Sequence, residues 1–205
     1  MDLNNWHTKP KNSTIYTPQE VSGFLFQLLK DKFPPKSLIF DPGCGGYSLL
    51  TPWQQANYQT LGLDNDLTSQ ADFHRDFLLL PKWNYYRLPT LILCNPPFNG
   101  SKPKLAPEIW LDQIISLFGK AVPIVLFAPI GLRLNSTLKS KRHLKFVNRF
   151  YPPITSQITL TRDVYNLEPS NRKTEFHSEI LIFNIPNLLP HYFFHPAKIE
   201  QRTPG

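Results

Sequence analysis

Short apolar runs alternate with helical periodicities along most of this chain, and that alternation leaves few folds open to it. Ser37–Phe40, Tyr58–Leu63, Leu91–Cys94 and Ala121–Ala128 are short and predominantly apolar. Strands of this kind are buried on both faces, the pattern of a parallel sheet covered by helices. Amphipathic stretches lie between them. Thr17-Pro18-Gln19-Glu20 has the residues of a helix start, with Thr17 as cap and Pro18 in the first turn, and Val21, Phe24, Leu25, Leu28 and Leu29 then share one face. Ile109, Trp110, Ile114, Leu117 and Phe118 repeat that pattern over 107–118. A helix is expected to begin near Tyr47 and to break or kink at Pro52, and a basic one to run over 139–150. Two later strands, 157–160 and 179–185, complete the order. One three-layer α/β domain over residues 1–185 follows, with a helix at 17–33, a mainly parallel sheet and helices on both faces. Prolines and histidines without periodicity predict an extended tail over 186–205.

The chain has 205 residues, enough for one domain with a full core. No apolar run approaches the roughly 18 residues of a membrane span, and Met1-Asp2-Leu3-Asn4-Asn5 does not open a signal peptide, so a cytoplasmic protein without membrane contact is expected. Cys44 and Cys94 are too few for a disulfide framework or a four-ligand zinc site, and the histidines lack metal-ligand spacing, so no metal is expected. A formal charge of +7 suits a polyanionic partner without identifying one.

The chemistry gathers where strands end. Leu91–Cys94 runs into Asn95-Pro96-Pro97-Phe98. Neither proline has an N–H and each has φ fixed, so the corner is rich in acceptors and poor in donors. Two acceptors that bind an exocyclic amine draw its lone pair out of conjugation, and Phe98 offers a ring for a flat substrate. A strand ending in Asp41 leads into Pro42-Gly43-Cys44-Gly45-Gly46, where missing Cβ atoms let the backbone turn tightly and approach a ligand. A carboxylate at Asp41 repels a pyrophosphate but attracts the ammonium group of an amino acid. The next strand ends at Asp64, the place for an acid that binds ribose hydroxyls.

In that order the segments resemble amino-directed S-adenosylmethionine-dependent nucleic-acid methyltransferases, closest to the adenine-N6 DNA methyltransferases of the gamma arrangement. The resemblance implies a Rossmann-like class I methyltransferase fold with a seven-stranded sheet whose 179–185 strand runs antiparallel. It implies S-adenosyl-L-methionine as cofactor, with Tyr16 and Thr17 near its methionine carboxylate, Asp41, Pro42, Gly43, Cys44 and Gly45 as the glycine loop, and Asp64 on the ribose. Asp76 and Phe77 would hold and stack the adenine, although Asp72-Phe73 is a competing pair. Asn95, Pro96, Pro97 and Phe98 would be catalytic, with Asn95 also among the cofactor-binding residues. The family's loop has a glycine where this chain has Tyr47, so either the loop is rearranged around Gly43 and Gly45 or cofactor affinity is reduced.

Lys102 and Lys104, just past the catalytic motif, and Lys141 and Arg142, in the basic stretch, are candidates for phosphate contact. Nucleic acid is the implied substrate, DNA before RNA. Ribosomal RNA methyltransferases carry Asn-Pro-Pro-Phe as well, and release-factor glutamine methyltransferases share the motif with a terminal tyrosine. A non-catalytic partner subunit is the reading from another class. About twenty residues follow the final expected strand, too few for a target-recognition domain, so sequence readout would fall to a specificity subunit or a second copy of the chain.

Overall fold

A computed structural model describes residues 15–98, 105–171, 173 and 175–196. Four parallel strands form its centre: β1 (Leu38–Asp41), β2 (Gln59–Asp64), β4 (Leu91–Cys94) and β5 (Ile124–Pro129). Short β3 (Phe73–His74) extends the sheet beyond β2, also in parallel. Beyond β5 lie β7 (Ser178–Phe183), antiparallel to both its neighbours, then β6 (Ile154–Thr159) and β8 (His191–Phe193). The order is β3-β2-β1-β4-β5-β7-β6-β8. Because β1 pairs with β2 on one side and β4 on the other, the order reverses there, and the carboxyl ends of these three strands flank a crevice.

Alternation along the strands divides the core into two layers. Ile39, Leu91, Leu93, Val125 and Phe127 face α1 (Gln19–Leu29) and α2 (Thr51–Gln55). Phe40, Ile92, Ile124 and Leu126 face α3 (Ala106–Phe118) through Leu111 and Ile114. Both faces are therefore covered, as an all-apolar strand requires. Two smaller helices, α4 (Gly131–Leu134) and α5 (Lys141–Val147), follow β5.

Several local expectations are corrected. α1 starts at Gln19 rather than Thr17: Pro18 takes the cap position in an extended conformation, no side chain caps the helix, and a separate 3-10 turn covers Lys30–Lys32. Pro52 does not break α2 but sits in its first turn, where a missing N–H costs nothing. Residues 186–196 are not a loose tail, and the rest of the expected tail, 197–205, lies outside the described residues. β8 pairs with β6, making eight strands rather than seven, and Phe194 is buried with its ring edge-on to Phe24 of α1 at 5.6 Å. Among the described residues no helix is long and apolar enough to cross a membrane.

Candidate active site

The crevice opens into a cavity of about 730 Å3, within the range of small-molecule sites. It is lined by Tyr16, Thr17, Asp41, Pro42, Gly43, Cys44, Gly45, Asp64, Asp76, Phe77, Asn95, Pro96, Pro97 and Phe98. Every residue read from the sequence as catalytic or cofactor-binding is thus in one place, although the last segment begins 79 positions after the first (95 against 16).

The glycine loop is tied to β2. Cys44 N–H donates to Leu63 O at 3.0 Å, and Gly45 N–H to Asp64 Oδ2 at 2.8 Å. Gly45 has φ of 47°, and a Cβ there would meet the Tyr16 ring at 3.2 Å. A Cβ on Gly43 would meet the Trp110 ring of α3 at 2.8 Å. Asp41 is 2 % exposed and accepts from Gly43 N–H at 3.0 Å. Burial pushes its carboxyl up to about 7; the Gly43 bond opposes the rise and the neighbouring Asp64 adds to it. Burial also raises the Cys44 and Cys94 thiols, which leaves both un-ionised.

Tyr47 stands in the left-handed region, φ 66°, the conformation for which a glycine is usual. Its ring lies against Gly62, where a Cβ would come within 2.6 Å of it, and its hydroxyl donates to Asp72 Oδ2 at 2.7 Å. Asp72 also accepts from Gly62 N–H at 2.7 Å. The tyrosine is thus tucked under the loop and away from the cavity. The two Asp-Phe pairs separate on the same evidence of contact: Asp72 is engaged below the loop, while Asp76 and Phe77 line the cavity. Asp76 accepts from Leu78 N–H, and Phe77 packs on Trp110 at 5.3 Å.

Thr17 does not cap α1 because its hydroxyl has another partner. Asn95 Nδ2 donates to Thr17 Oγ1 at 2.9 Å, and Thr17 is 3 % exposed. With that N–H committed, Oδ1 is the acceptor left on the Asn95 side chain. The segment before Thr17 is held in turn by Asn171, whose Oδ1 accepts from Tyr16 N–H and whose Nδ2 donates to Tyr16 O, both at 2.8 Å. The backbone of Tyr16 is thus fully engaged, and only its ring faces the cavity. Phe98 meets Tyr165 and Phe176 edge-on, at 6.1 and 5.8 Å. Trp110, Tyr165 and Asn171 were not foreseen as site residues. Trp110 carries only the helical period of a core residue, and nothing in the sequence around Tyr165 and Asn171 marks them.

The basic candidates divide. Lys102 and Lys104 lie outside the described residues. Lys141 is exposed at the start of α5. Arg142 turns inward to Glu108 Oε2 at 2.9 Å and is corrected to a structural residue, since a guanidinium paired with a buried carboxylate is not free for phosphate. No group of three or more metal-ligating side chains occurs among the described residues.

No protein-family model matches the chain, and no curated protein matches its sequence. Solved structures do. A Vibrio vulnificus protein assigned as the modification subunit of a type I restriction enzyme superposes with a TM-score of 0.63 at 14% identity, over 90% of this chain and 47% of that one. A Listeria monocytogenes protein assigned as a class I S-adenosylmethionine-dependent methyltransferase gives 0.62 at 15%, over 94% and 69%. The methyltransferase subunit of a Streptococcus thermophilus type I restriction-modification system gives 0.59 at 17%, over 87% and 46%. The chain spans about half the length of the two restriction-system subunits. At these identities the likeness is one of fold, and the fold is the Rossmann-like one of class I methyltransferases.

Proposed function

We propose that this chain transfers a methyl group from S-adenosylmethionine to an exocyclic amino group of a nucleobase, adenine N6 in DNA. The observation that carries the reading is the Asn95–Thr17 hydrogen bond at the mouth of the Asp41–Asp64 cavity. It fixes a side-chain amide so that an acceptor, not a donor, is presented beside two prolines that have no N–H.

The residues present fit the cofactor. Asp41 is a buried carboxylate with no cationic partner among the described residues, which an ammonium group would supply, and Gly43 and Gly45 leave a backbone cradle that Cβ atoms would fill. Asp64 faces the ribose, and Asp76 with Phe77 takes the adenine. Because Asn171 engages the Tyr16 backbone, the carboxylate contact falls to the Thr17 N–H. When bound, the cofactor supplies an electrophilic methyl group. Asn95 Oδ1 and the Pro96 carbonyl accept the two N–H groups of the target amine and leave its lone pair exposed, while Phe98 stacks on the flipped base. The amine gives up its proton after methylation, so no general base is needed, and alignment supplies most of the rate.

DNA is preferred because two similar structures are type I modification or methyltransferase subunits. A specificity subunit or a second copy of the chain would supply sequence readout, since the loops offer few side chains to base edges. Transfer of tritiated methyl groups onto DNA, ribosomal RNA or protein tests the substrate. Asn95→Ala is expected to abolish transfer with cofactor binding nearly intact, because it removes the acceptor presented to the target amine. Asp64→Ala is expected to weaken cofactor binding by about 1–3 kcal/mol, through lost hydroxyl contacts and a loosened Gly45. Native-rate transfer by Asn95→Ala would overturn the assignment.

A further inference from the structure

The loop between β3 and β4 presents aromatic rings to solvent that the proposed chemistry does not use. Tyr86 is 79 % exposed, and its ring lies 4.5 Å from that of Tyr85 at an interplanar angle of 37°. Tyr85 is held edge-on from two sides, by Phe73 of β3 at 6.5 Å and by Trp83 at 6.0 Å. Trp83 in turn packs into the core on Phe40 and Phe118, at 4.9 and 4.8 Å. The loop is closed by Trp83 Nε1 donating to Arg87 O at 2.9 Å and tied down by Arg87 bonds to Lys36 O and Gln59 Oε1. These rings are therefore set before any partner arrives, which removes most of the ordering cost of binding.

Two uncommitted cations lie near them. Arg75 and Lys82 are exposed and make no ion pair among the described residues. The nearby acids are engaged locally, Asp66 with Thr68, Asp72 with Tyr47 and Gly62, and Asp76 with Leu78, although Asp66 and Asp72 remain exposed. Arg75 also lines the cavity, where it is the only Lys or Arg among the described residues, so the exposed rings and the cavity mouth are continuous through Phe73-His74-Arg75. Fixed aromatic faces beside uncommitted cations are the combination that binds unpaired nucleotides: each base stacks, and each phosphate meets a cation.

We propose that Tyr85 and Tyr86, with Arg75 and Lys82, form a stacking platform for unpaired nucleotides of the substrate strand, on the β3 edge of the sheet beside the cavity. This deepens the nucleic-acid reading above and rests on it for the substrate class. The platform takes nucleotides outside the catalytic pocket, so it sets where along a strand the chain engages and favours flanks that are single-stranded or easily opened.

Fluorescence anisotropy with labelled oligo-dT, oligo-U and a blunt DNA duplex, on the full chain at two salt concentrations, tests it. Calorimetry with S-adenosylmethionine runs in parallel on every variant. Tyr86→Ala is expected to weaken binding of the single strands about tenfold and of the duplex less than about twofold, with cofactor binding unchanged. Arg75→Ala combined with Lys82→Ala should lower the single-strand salt slope by about 1.4, two phosphates at about 0.7 each. Leu88→Ala, on the same loop and 63 % exposed, should leave the affinity unchanged. The relative strength of oligo-dT and oligo-U assigns the strand to DNA or RNA. Single-strand binding by Tyr86→Ala within twofold of the native chain would overturn the platform, as would no binding by the native chain. A loss of single-strand affinity in Leu88→Ala matching that in Tyr86→Ala would overturn it in favour of an apolar protein-docking face. Loss of cofactor binding by the native chain would instead sink the methyltransferase reading and leave the platform standing on its own binding data.

Discussion

Two regions of this molecule withdraw carboxylates from solvent and answer them in two different ways. In the seam between α3 and α5, Glu108 has Arg142 at 2.9 Å and Lys145 at 3.7 Å, and Asp112 has Lys145 at 2.7 Å. Tyr151 closes that network by donating to Asp112. At the cavity, Asp41 and Asp64 accept, among the described residues, backbone N–H groups from Gly43, Gly45 and Asp66. A buried carboxylate with its own cation is electrically satisfied and fixes one element against another. A buried carboxylate with none keeps the cost of desolvation until a cationic ligand relieves it, which is how a binding site differs from a seam of similar composition.

The largest effect that could break this contrast is in the seam. Glu108→Ala strands Arg142 against α3 and is expected to lower the unfolding free energy by about 3 kcal/mol, measured by urea denaturation. A loss under about 1 kcal/mol would remove the distinction. Next comes the pH dependence of Asp41. Its folded pKa of about 7 stands above the ordinary carboxylate value, so its contribution to stability is full below about pH 4 and is lost as pH rises through 7. Cofactor binding has the opposite sign, because the ammonium group needs the ionised form. Affinity should rise about tenfold between pH 6 and 8, and Asp41→Asn should bind more weakly with that rise gone. A flat calorimetric profile for the native chain would mean that Asp41 is not the ammonium partner.

Smaller is Tyr47→Phe, which removes the donor to Asp72 but leaves Gly62 N–H in place. About 1 kcal/mol of stability and a few-fold loss of cofactor affinity are expected from thermal melts and calorimetry. Unchanged affinity would show that the loop does not depend on the tyrosine for its shape. The smallest effect sharpens the contrast between adjacent residues. Lys141→Ala should leave stability within about 0.5 kcal/mol and lower the salt slope of nucleic-acid binding by about one, whereas Arg142→Ala should do the reverse.

Strand positions were legible wherever burial on both faces left only apolar residues. Leu91–Cys94 is found as expected, and the strands ending at Asp41 and Asp64 differ by a single residue. Near the edge, β6 begins three residues early, because its Thr155, Ser156 and Gln157 are polar and leave the pattern faint. β3 and β8, two and three residues long, carry no period at all. In the cavity, residues were legible where backbone chemistry demands a type, as at Gly43, Gly45 and Pro96. Thr17 was picked out for the right segment but as a cap, since sequence distance hides a partner 78 residues away. Asn171 was invisible for the same reason: its side chain bonds to Tyr16 and Tyr165, and an asparagine in a polar loop looks like any other.

The bond between Tyr16 and Asn171 also orders events in time. It joins positions 155 residues apart, so nearly the whole chain must leave the ribosome before the segment carrying Thr17 can settle on Asn95. β7, inserted between β5 and β6, is later still in the sequence and completes the sheet's antiparallel half. Strands β1, β2, β4 and β5 can pair earlier, by contacts of shorter loop closure. The nascent protein therefore passes through a stage with a formed glycine loop and an unassembled catalytic corner. Pulse-labelling of ribosome-bound chains ending at residue 150 or at residue 190, each followed by a linker that spans the exit tunnel, would place the gain of site protection between those lengths.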